Sequence, residues 1–261
     1  MADGAGKVKV TAGSGYAKAS AMTAIGIFGS EGRMGRAVAL AIEAAGARLA
    51  GGADRQDDCR PVAERADVLV DFSAPGALED HLRAARAAGT PILVGTTGLK
   101  ERHQTMLDAA AAEIAVLQTG NTSLGVTLLA KLVREAAATL DWDIEIVEMH
   151  HRHKVDAPSG TALLLGEAAA AGRGSSLSEL KVESRAGLTG ARTEGTIGFA
   201  SLRGGSVIGD HSVVFAGEGE RIELNHLAQD RTTFAHGAVK AALWLVGRPA
   251  GRYRMTDVLG L

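Results

Sequence analysis

The densest chemistry in the chain lies in Glu148-Met149-His150-His151-Arg152-His153-Lys154-Val155-Asp156-Ala157-Pro158-Ser159-Gly160-Thr161. Three imidazoles, a guanidinium and an ammonium fall within residues 150–154. Such a bend is strongly cationic and holds proton donors that work near neutral pH. Ser159-Gly160-Thr161 stand directly before the apolar run Ala162 to Leu165, the pattern of a helix N-terminus. Free backbone N–H groups and two hydroxyls at such a terminus favour a carboxylate. An anionic substrate fits both features. The histidines also admit two other readings, a metal site or a structural polar loop. Against a metal, only His151 and His153 share a face in extended chain, and Lys154 repels a cation; none is expected.

A second group is Gly29-Ser30-Glu31-Gly32-Arg33-Met34-Gly35, between a strand-like run and a helical one. Glycines there let a pyrophosphate approach the backbone, and the helix N-terminus stabilises its charge. Glu31 stands where the middle glycine of a G-x-G-x-x-G fingerprint would fall. Asp54 follows the second strand and can accept hydrogen bonds from ribose hydroxyls. Arg55 beside it is either a solvated side chain or a partner for a 2′-phosphate, which would admit both NADH and NADPH. Gly95-Thr96-Thr97-Gly98 and Gly120-Asn121-Thr122-Ser123 each follow a strand, at the sheet edge where open α/β folds bind ligands. Each is either a nicotinamide contact or only a turn and helix cap.

Elements that position these groups are legible from periodicity. Ala24 to Phe28, Arg48 to Ala53, Val68 to Phe72, Ile92 to Val94 and Ile114 to Leu117 read as strands. Helices alternate with them, one beginning at the Ser73-Ala74-Pro75 cap. Near-continuous apolar strands between helices predict a doubly wound parallel sheet covered on both faces. After Asn121 the pattern changes to a helix over Leu124 to Leu140, a strand over Ile144 to Met149 and a helix from Ser159. Strands at Thr196 to Leu202, Val207 to Ala216 and Arg221 to Leu227 follow, with Gly204-Gly205 and Gly217-Glu218-Gly219 as hairpin punctuation. A helix over Phe234 to Val246 comes last. The fold class is therefore α/β: an N-terminal Rossmann-type sheet and a second α+β domain with a mixed sheet. The expected division is 22–123 plus 231–261 for the dinucleotide domain and 124–230 for the substrate-binding and oligomerisation domain. Residues 1–21 read as an extension outside the fold, or as a transit peptide.

Composition bounds the function. Of 261 residues 46% are apolar and 22% charged, with a formal charge of −2, so a globular core is affordable and a dedicated nucleic-acid binder is disfavoured. Cys59 alone cannot form an intramolecular disulfide or a cysteine-based zinc cluster. No run is long and apolar enough to span a membrane, and a reducing cytoplasm fits.

The chain resembles the 4-hydroxy-tetrahydrodipicolinate reductase family of the diaminopimelate route to lysine. The likeness spans about Thr23 to Leu261. It rests on G-x-x-G-R-M-G at Gly29 to Gly35, V-D-F-S at Val70 to Ser73 and G-T-T-G at Gly95 to Gly98. The loop E-x-H-H-x-x-K-x-D-A-P-S-G-T-A at Glu148 to Ala162 is highly specific, and G-T-I-G-F-A at Gly195 to Ala200 also matches. The resemblance implies His150 in the acid/base position and Lys154 as proton donor. It implies that His151, Ser159, Gly160 and Thr161 bind a small dicarboxylate. The cofactor, NADH and/or NADPH, is implied to lie on Gly29, Ser30, Glu31, Gly32, Arg33, Met34, Asp54, Arg55, Gly95, Thr96, Thr97, Gly120, Asn121, Thr122 and Ser123. A homotetramer is implied, with neither nucleic acid nor membrane as a partner. Two departures stand out. Thr122 replaces an aromatic residue common in the family, and Gln56 to Arg65 is shorter than in long members, so an element near the adenosine edge is expected to be missing. Other readings are a related reductase of another imino or keto dicarboxylate, a nucleotide sensor without catalysis, and a DNA-binding regulator.

Overall fold

The computed structural model describes residues 23–261, so the reading of residues 1–21 lies outside the described residues. The chain begins with β1 (Ala24–Phe28), α1 (Arg33–Ala44), β2 (Arg48–Ala53), α2 (Arg60–Arg65) and β3 (Val68–Asp71). After a 3₁₀ turn at Pro75–Ala77 come α3 (Leu78–Ala88), β4 (Ile92–Val94), α4 (Glu101–Ala111) and β5 (Ala115–Gln118). β1, β3 and β4 are buried at every residue, as expected of strands covered on both faces. The second part runs α5 (Leu124–Thr139), β6 (Asp143–His150), α6 (Gly160–Gly172), α7 (Leu177–Leu180), β7 (Lys181–Val182), β8 (Ile197–Arg203), β9 (Gly209–Ala216) and β10 (Arg221–Ala228). α8 (Thr232–Leu245), β11 (Gly251–Tyr253) and α9 (Met255–Leu259) close the chain.

The first sheet has the order β11-β5-β4-β3-β1-β2, with all pairs parallel. Chain order reverses between β1 and β3, which opens a crevice at their carboxyl ends, where α/β sheets bind ligands. Ala235, Ala238, Val239, Ala242 and Leu245 of α8 pack with Ile25, Ile27, Val38, Val70 and Leu93, so the chain's last segment completes the first core. β11 then extends the sheet beside β5.

The second sheet has the order β10-β9-β6-β8-β7 and is mixed. α5 and α6 cover one face, packing Leu129, Val133, Leu165 and Ala169 on Ile144, Ile146, Phe199, Val213 and Phe215. Side chains alternate along a strand, so Glu148 and His150 continue the face of Ile144 and Ile146. His211 likewise continues the face of Val213 and Phe215. The apolar face turns polar at one end of the sheet.

Three local expectations are corrected. Gly204-Gly205 is not a hairpin, because β6 lies between β8 and β9; only the β9–β10 turn is one. The glycine pair instead crosses the end of β6, where the Gly204 N–H donates to the His150 carbonyl. Ser73 does not cap α3. Its hydroxyl donates to Asp71, and the proline forms the first residue of the 3₁₀ turn. Gln56 to Arg65 does carry an element, α2, with Pro61 in its first turn.

Candidate active site

A cleft of about 1240 Å³ opens at the β1/β3 crevice, lined by Gly29, Gly32, Asp54, Arg55, Phe72 and Ser73 among others. Gly29 adopts φ +81°, and a Cβ there would lie 2.6 Å from the Phe72 carbonyl oxygen. A Cβ on Gly35 would collide with the Gly29 carbonyl. These glycines keep the loop tight against α1. Gly32 caps α1 without a side-chain hydrogen bond, which leaves the first-turn N–H groups open to an anion. Asp54 accepts from the Ser30 hydroxyl at 2.6 Å and from the Glu31 N–H at 3.0 Å, tying the end of β2 to the glycine loop. Arg33 is exposed, while Met34 packs against the core. This cradle fits a dinucleotide.

Asp71, 0% exposed, organises the adjoining loops. Its carboxylate accepts from the Ser73 N–H and hydroxyl and from the Thr96 hydroxyl, and is hydrogen-bonded to His81 Nδ1 at 2.8 Å. Thr96 is therefore buried with its hydroxyl turned onto Asp71, whereas Thr97 is exposed. Thr122 is also buried, and its hydroxyl donates to the Phe234 carbonyl of α8 at 2.7 Å. Thr122 is thus turned onto α8 through both its hydroxyl and its carbonyl, and its side chain does not face the cleft.

On the second sheet, Glu148 is 1% exposed and receives both guanidinium nitrogens of Arg203 at 2.8 Å. The same carboxylate is hydrogen-bonded to His150 Nδ1 at 2.6 Å and accepts from the Ser159 N–H at 3.2 Å. Arg203 also donates to the Asp156 carbonyl, which anchors the cationic bend. Lys154 Nζ reaches Asp156 at 2.8 and 2.9 Å. The expectation that Ser159 binds substrate through its side chain is corrected. The residue is 2% exposed, and its hydroxyl caps α6 at Ala162 and is bonded to His211 Nε2 at 2.9 Å. Gly160 is exposed and Thr161 half-buried at the mouth of the helix.

The two halves meet here. Asn121 Nδ2 donates to Thr161 Oγ1 at 2.9 Å, joining the loop after β5 to the first turn of α6. Ser123, which caps α5, is bonded to His226 Nε2 of β10 at 3.2 Å. The comparisons follow the same division. A model described as dihydrodipicolinate reductase, N-terminus, matches residues 23–122, and one described as dihydrodipicolinate reductase, C-terminus, matches residues 125–259. The chain belongs to the dihydrodipicolinate reductase family. The 4-hydroxy-tetrahydrodipicolinate reductase of Zymomonas mobilis is 55% identical to this reductase over 246 residues, covering 91% of this chain and 97% of the relative. That of Methylocella silvestris is 58% identical over 207 residues, covering 78% and 76%. A dipicolinate-bound dihydrodipicolinate reductase from Paenisporosarcina sp. TG-14 shares the fold, with a TM-score of 0.72, 22% identity, and 90% and 98% coverage.

Burial and neighbouring charge set the protonation of the reductase's polar cluster. Burial raises the Glu148 carboxyl, but hydrogen bonds from Arg203, His150 and Ser201 outweigh it and hold the group below its ordinary range. Burial, aided by the His150 charge, lowers His211 to about 4. His151 is lowered by desolvation and by Arg231, His153, His150 and Lys154. His226 is lowered by burial, opposed by Asp210. An unfolded His211 takes up a proton near its ordinary 6.5, before the folded one does, so stability falls as pH drops from about 6.5 towards about 4. The full displacement corresponds to about 3 kcal/mol. Glu148 adds a loss at lower pH, as the folded group is protonated. Urea midpoints at about pH 7.5 and about pH 5 check this; His211→Gln should flatten the difference.

Sequence reasoning missed several contributors. Arg203, His211, His226 and His81 carried no local motif that points to a site, and Asp71 in V-D-F-S and Glu148 were seen without a role. Gly237 is another. A Cβ on it would collide with the Thr122 carbonyl, so α8 can approach the loop after β5 only with glycine there. Gly237→Ala should cost about 1–3 kcal/mol and raise KM for the cofactor by displacing that loop, read by thermal melts and kinetics.

Proposed function

We propose that this chain reduces 4-hydroxy-tetrahydrodipicolinate to tetrahydrodipicolinate and water with NADH or NADPH, in diaminopimelate and lysine biosynthesis. The hydrogen bond from Asn121 to Thr161 carries the reading, because it places a cofactor-type loop against a carboxylate-type helix turn. Gly29, Gly32, Asp54 and Arg55 would hold the adenosine and pyrophosphate, and Gly95 to Thr97 and Gly120 to Ser123 the nicotinamide end. When bound, the reduced nicotinamide supplies a hydride.

The substrate is a dianion, and the protein meets it with positive potential. His151, the Gly160 and Thr161 N–H groups and the Thr161 hydroxyl bind its carboxylates, while the cationic bend steers its approach. Lys154 Nζ delivers a proton to the ring-nitrogen side, and His150, held by Glu148, occupies the acid/base position beside it. Asp54 suits ribose hydroxyls and Arg55 a 2′-phosphate, which supports use of both cofactors.

The proposed division places 22–123 and 231–261 in the dinucleotide domain and 124–230 in the substrate domain, as the packing of α8 and β11 supports. A homotetramer in the cytoplasm completes the reading. No helix among the described residues is long and apolar enough to cross a membrane. In favour of assembly, the sheet face opposite α5 and α6 carries Val147, Met149, Leu202 and Leu227, and among the described residues Leu202 and Leu227 are left exposed on it. Sedimentation would show it. The activity is tested by supplying substrate generated in situ from pyruvate and aspartate semialdehyde and following loss of reduced-nicotinamide absorbance. Oxidation of either cofactor is expected. Turnover of oxaloacetate or 2-oxoglutarate alone, or tight NADH binding with no turnover, overturns the reading.

A further inference from the structure

We propose that His211 and His226 are positioning residues that hold the nicotinamide loop and the carboxylate turn in register. The two imidazoles are direct cross-strand partners on β9 and β10, and His211 is in turn opposite Glu148 on β6. Glu148, His211 and His226 therefore form one row across three strands. Above that row stand the N-termini of α6 and α5. Each begins with a serine whose hydroxyl accepts from the backbone N–H three residues on, Ala162 for Ser159 and Val126 for Ser123. Each capping hydroxyl is also bonded to the Nε2 of one histidine of the pair, His211 to Ser159 and His226 to Ser123. One arrangement is thus built twice, side by side.

Glycines make room for it. A Cβ on Gly125, in the first turn of α5, would lie 2.9 Å from His226 Cδ2, so the ring rests on that turn. A Cβ on Gly209 would lie 3.0 Å from His150 Nε2 and 3.5 Å from His211 Cε1. His211, 5% exposed, also packs edge-on against His150, with centroids 5.1 Å apart. Because neighbouring strands in a ladder are held at a fixed spacing, the histidine pair converts the β9–β10 register into a fixed separation of the two helix starts. The segments thus fixed are Gly120 to Ser123 and Ser159 to Thr161, which Asn121 and Thr161 already bridge.

The inference rests on the reading above, and its test separates the two. Glutamine places its amide where imidazole Nε2 lies, whereas asparagine ends near Nδ1 and falls short of the serine. Both are buried polar replacements of similar cost, so their difference isolates reach. His211→Asn is expected to raise KM for the substrate, and the Kd of a planar pyridine dicarboxylate probe, roughly three- to tenfold. The Kd of NADH measured without substrate stays within about twofold. His226→Asn is expected to do the reverse, weakening NADH roughly three- to tenfold. Both glutamine variants should lie near the parent. Equal behaviour of the asparagine and glutamine variants at each site, or equal effects of both sites on both ligands, overturns the proposal. Absence of reductase activity in the parent overturns the assigned reaction instead, while the two binding constants still report on the histidines.

Discussion

Lys154→Ala is expected to lower kcat by roughly 10²- to 10⁴-fold, the span of a lost proton donor, while NADH binding stays within about twofold. The ammonium stands on the bend between β6 and α6, directed by Asp156, whose carboxyl it holds below the ordinary range. Neither group belongs to the cleft at β1 and β3, so with Lys154 in its proposed role truncation would remove proton delivery and leave the cradle of Gly29, Gly32 and Asp54 intact. His150→Gln should follow the same course. Glutamine retains much of the volume, but its amide lies where Nε2 lay, away from the Nδ1 contact with Glu148, and it does not exchange protons near neutral pH. Steady-state kinetics beside an NADH titration decide the matter. Normal turnover in both variants would remove the roles assigned to these residues.

Arg203→Ala is expected to destabilise the protein by about 3–5 kcal/mol, because it strips the guanidinium from a buried carboxylate. Glu148 would keep only His150, the Ser159 N–H and Ser201 as partners. The same change releases the Asp156 carbonyl and with it the anchor of the Lys154 bend. Activity should therefore fall even at temperatures where the variant is folded. Arg203→Lys is a weaker remedy, since an ammonium cannot engage both carboxylate oxygens as the fork does. Denaturant unfolding of Arg203→Ala, with kinetics on the folded fraction, checks both effects. A loss below about 1 kcal/mol would mean that Glu148 is not the buried anion described here.

Much of the architecture was legible because local physics dominates it. β1, β3 and β4 of the first sheet are short, apolar and buried on both faces, and a covered parallel sheet imposes that pattern. The helix over Leu124 to Thr139 and the cap at Ser159 were legible for similar reasons, since periodicity and capping act within a few residues. α2, α7, β7, β11 and α9 were not, because they are short and, unlike β1, β3 and β4, carry no continuous apolar run to mark them. The mistaken hairpin at Gly204-Gly205 has a different cause. Adjacent strands with glycines between them look paired, and nothing local reveals that β6 occupies the place between β8 and β9.

By itself, the order of amino acids determined which chemical groups are available: a glycine turn, Asp54 and Arg55, a cationic bend, and a helix start at Ser159. Each is a contiguous stretch, so its conformational preferences and charge are written within a few residues. Only the tertiary structure decided which groups face a ligand and which are used internally. Ser159 serves the helix cap and His211, Thr122 serves α8, and Thr96 serves Asp71. It also brought Arg203 to Glu148 and Gly237 to Thr122 from far along the chain. Such pairings depend on strand order and helix packing, which arise when distant segments compete to bury the same apolar surface.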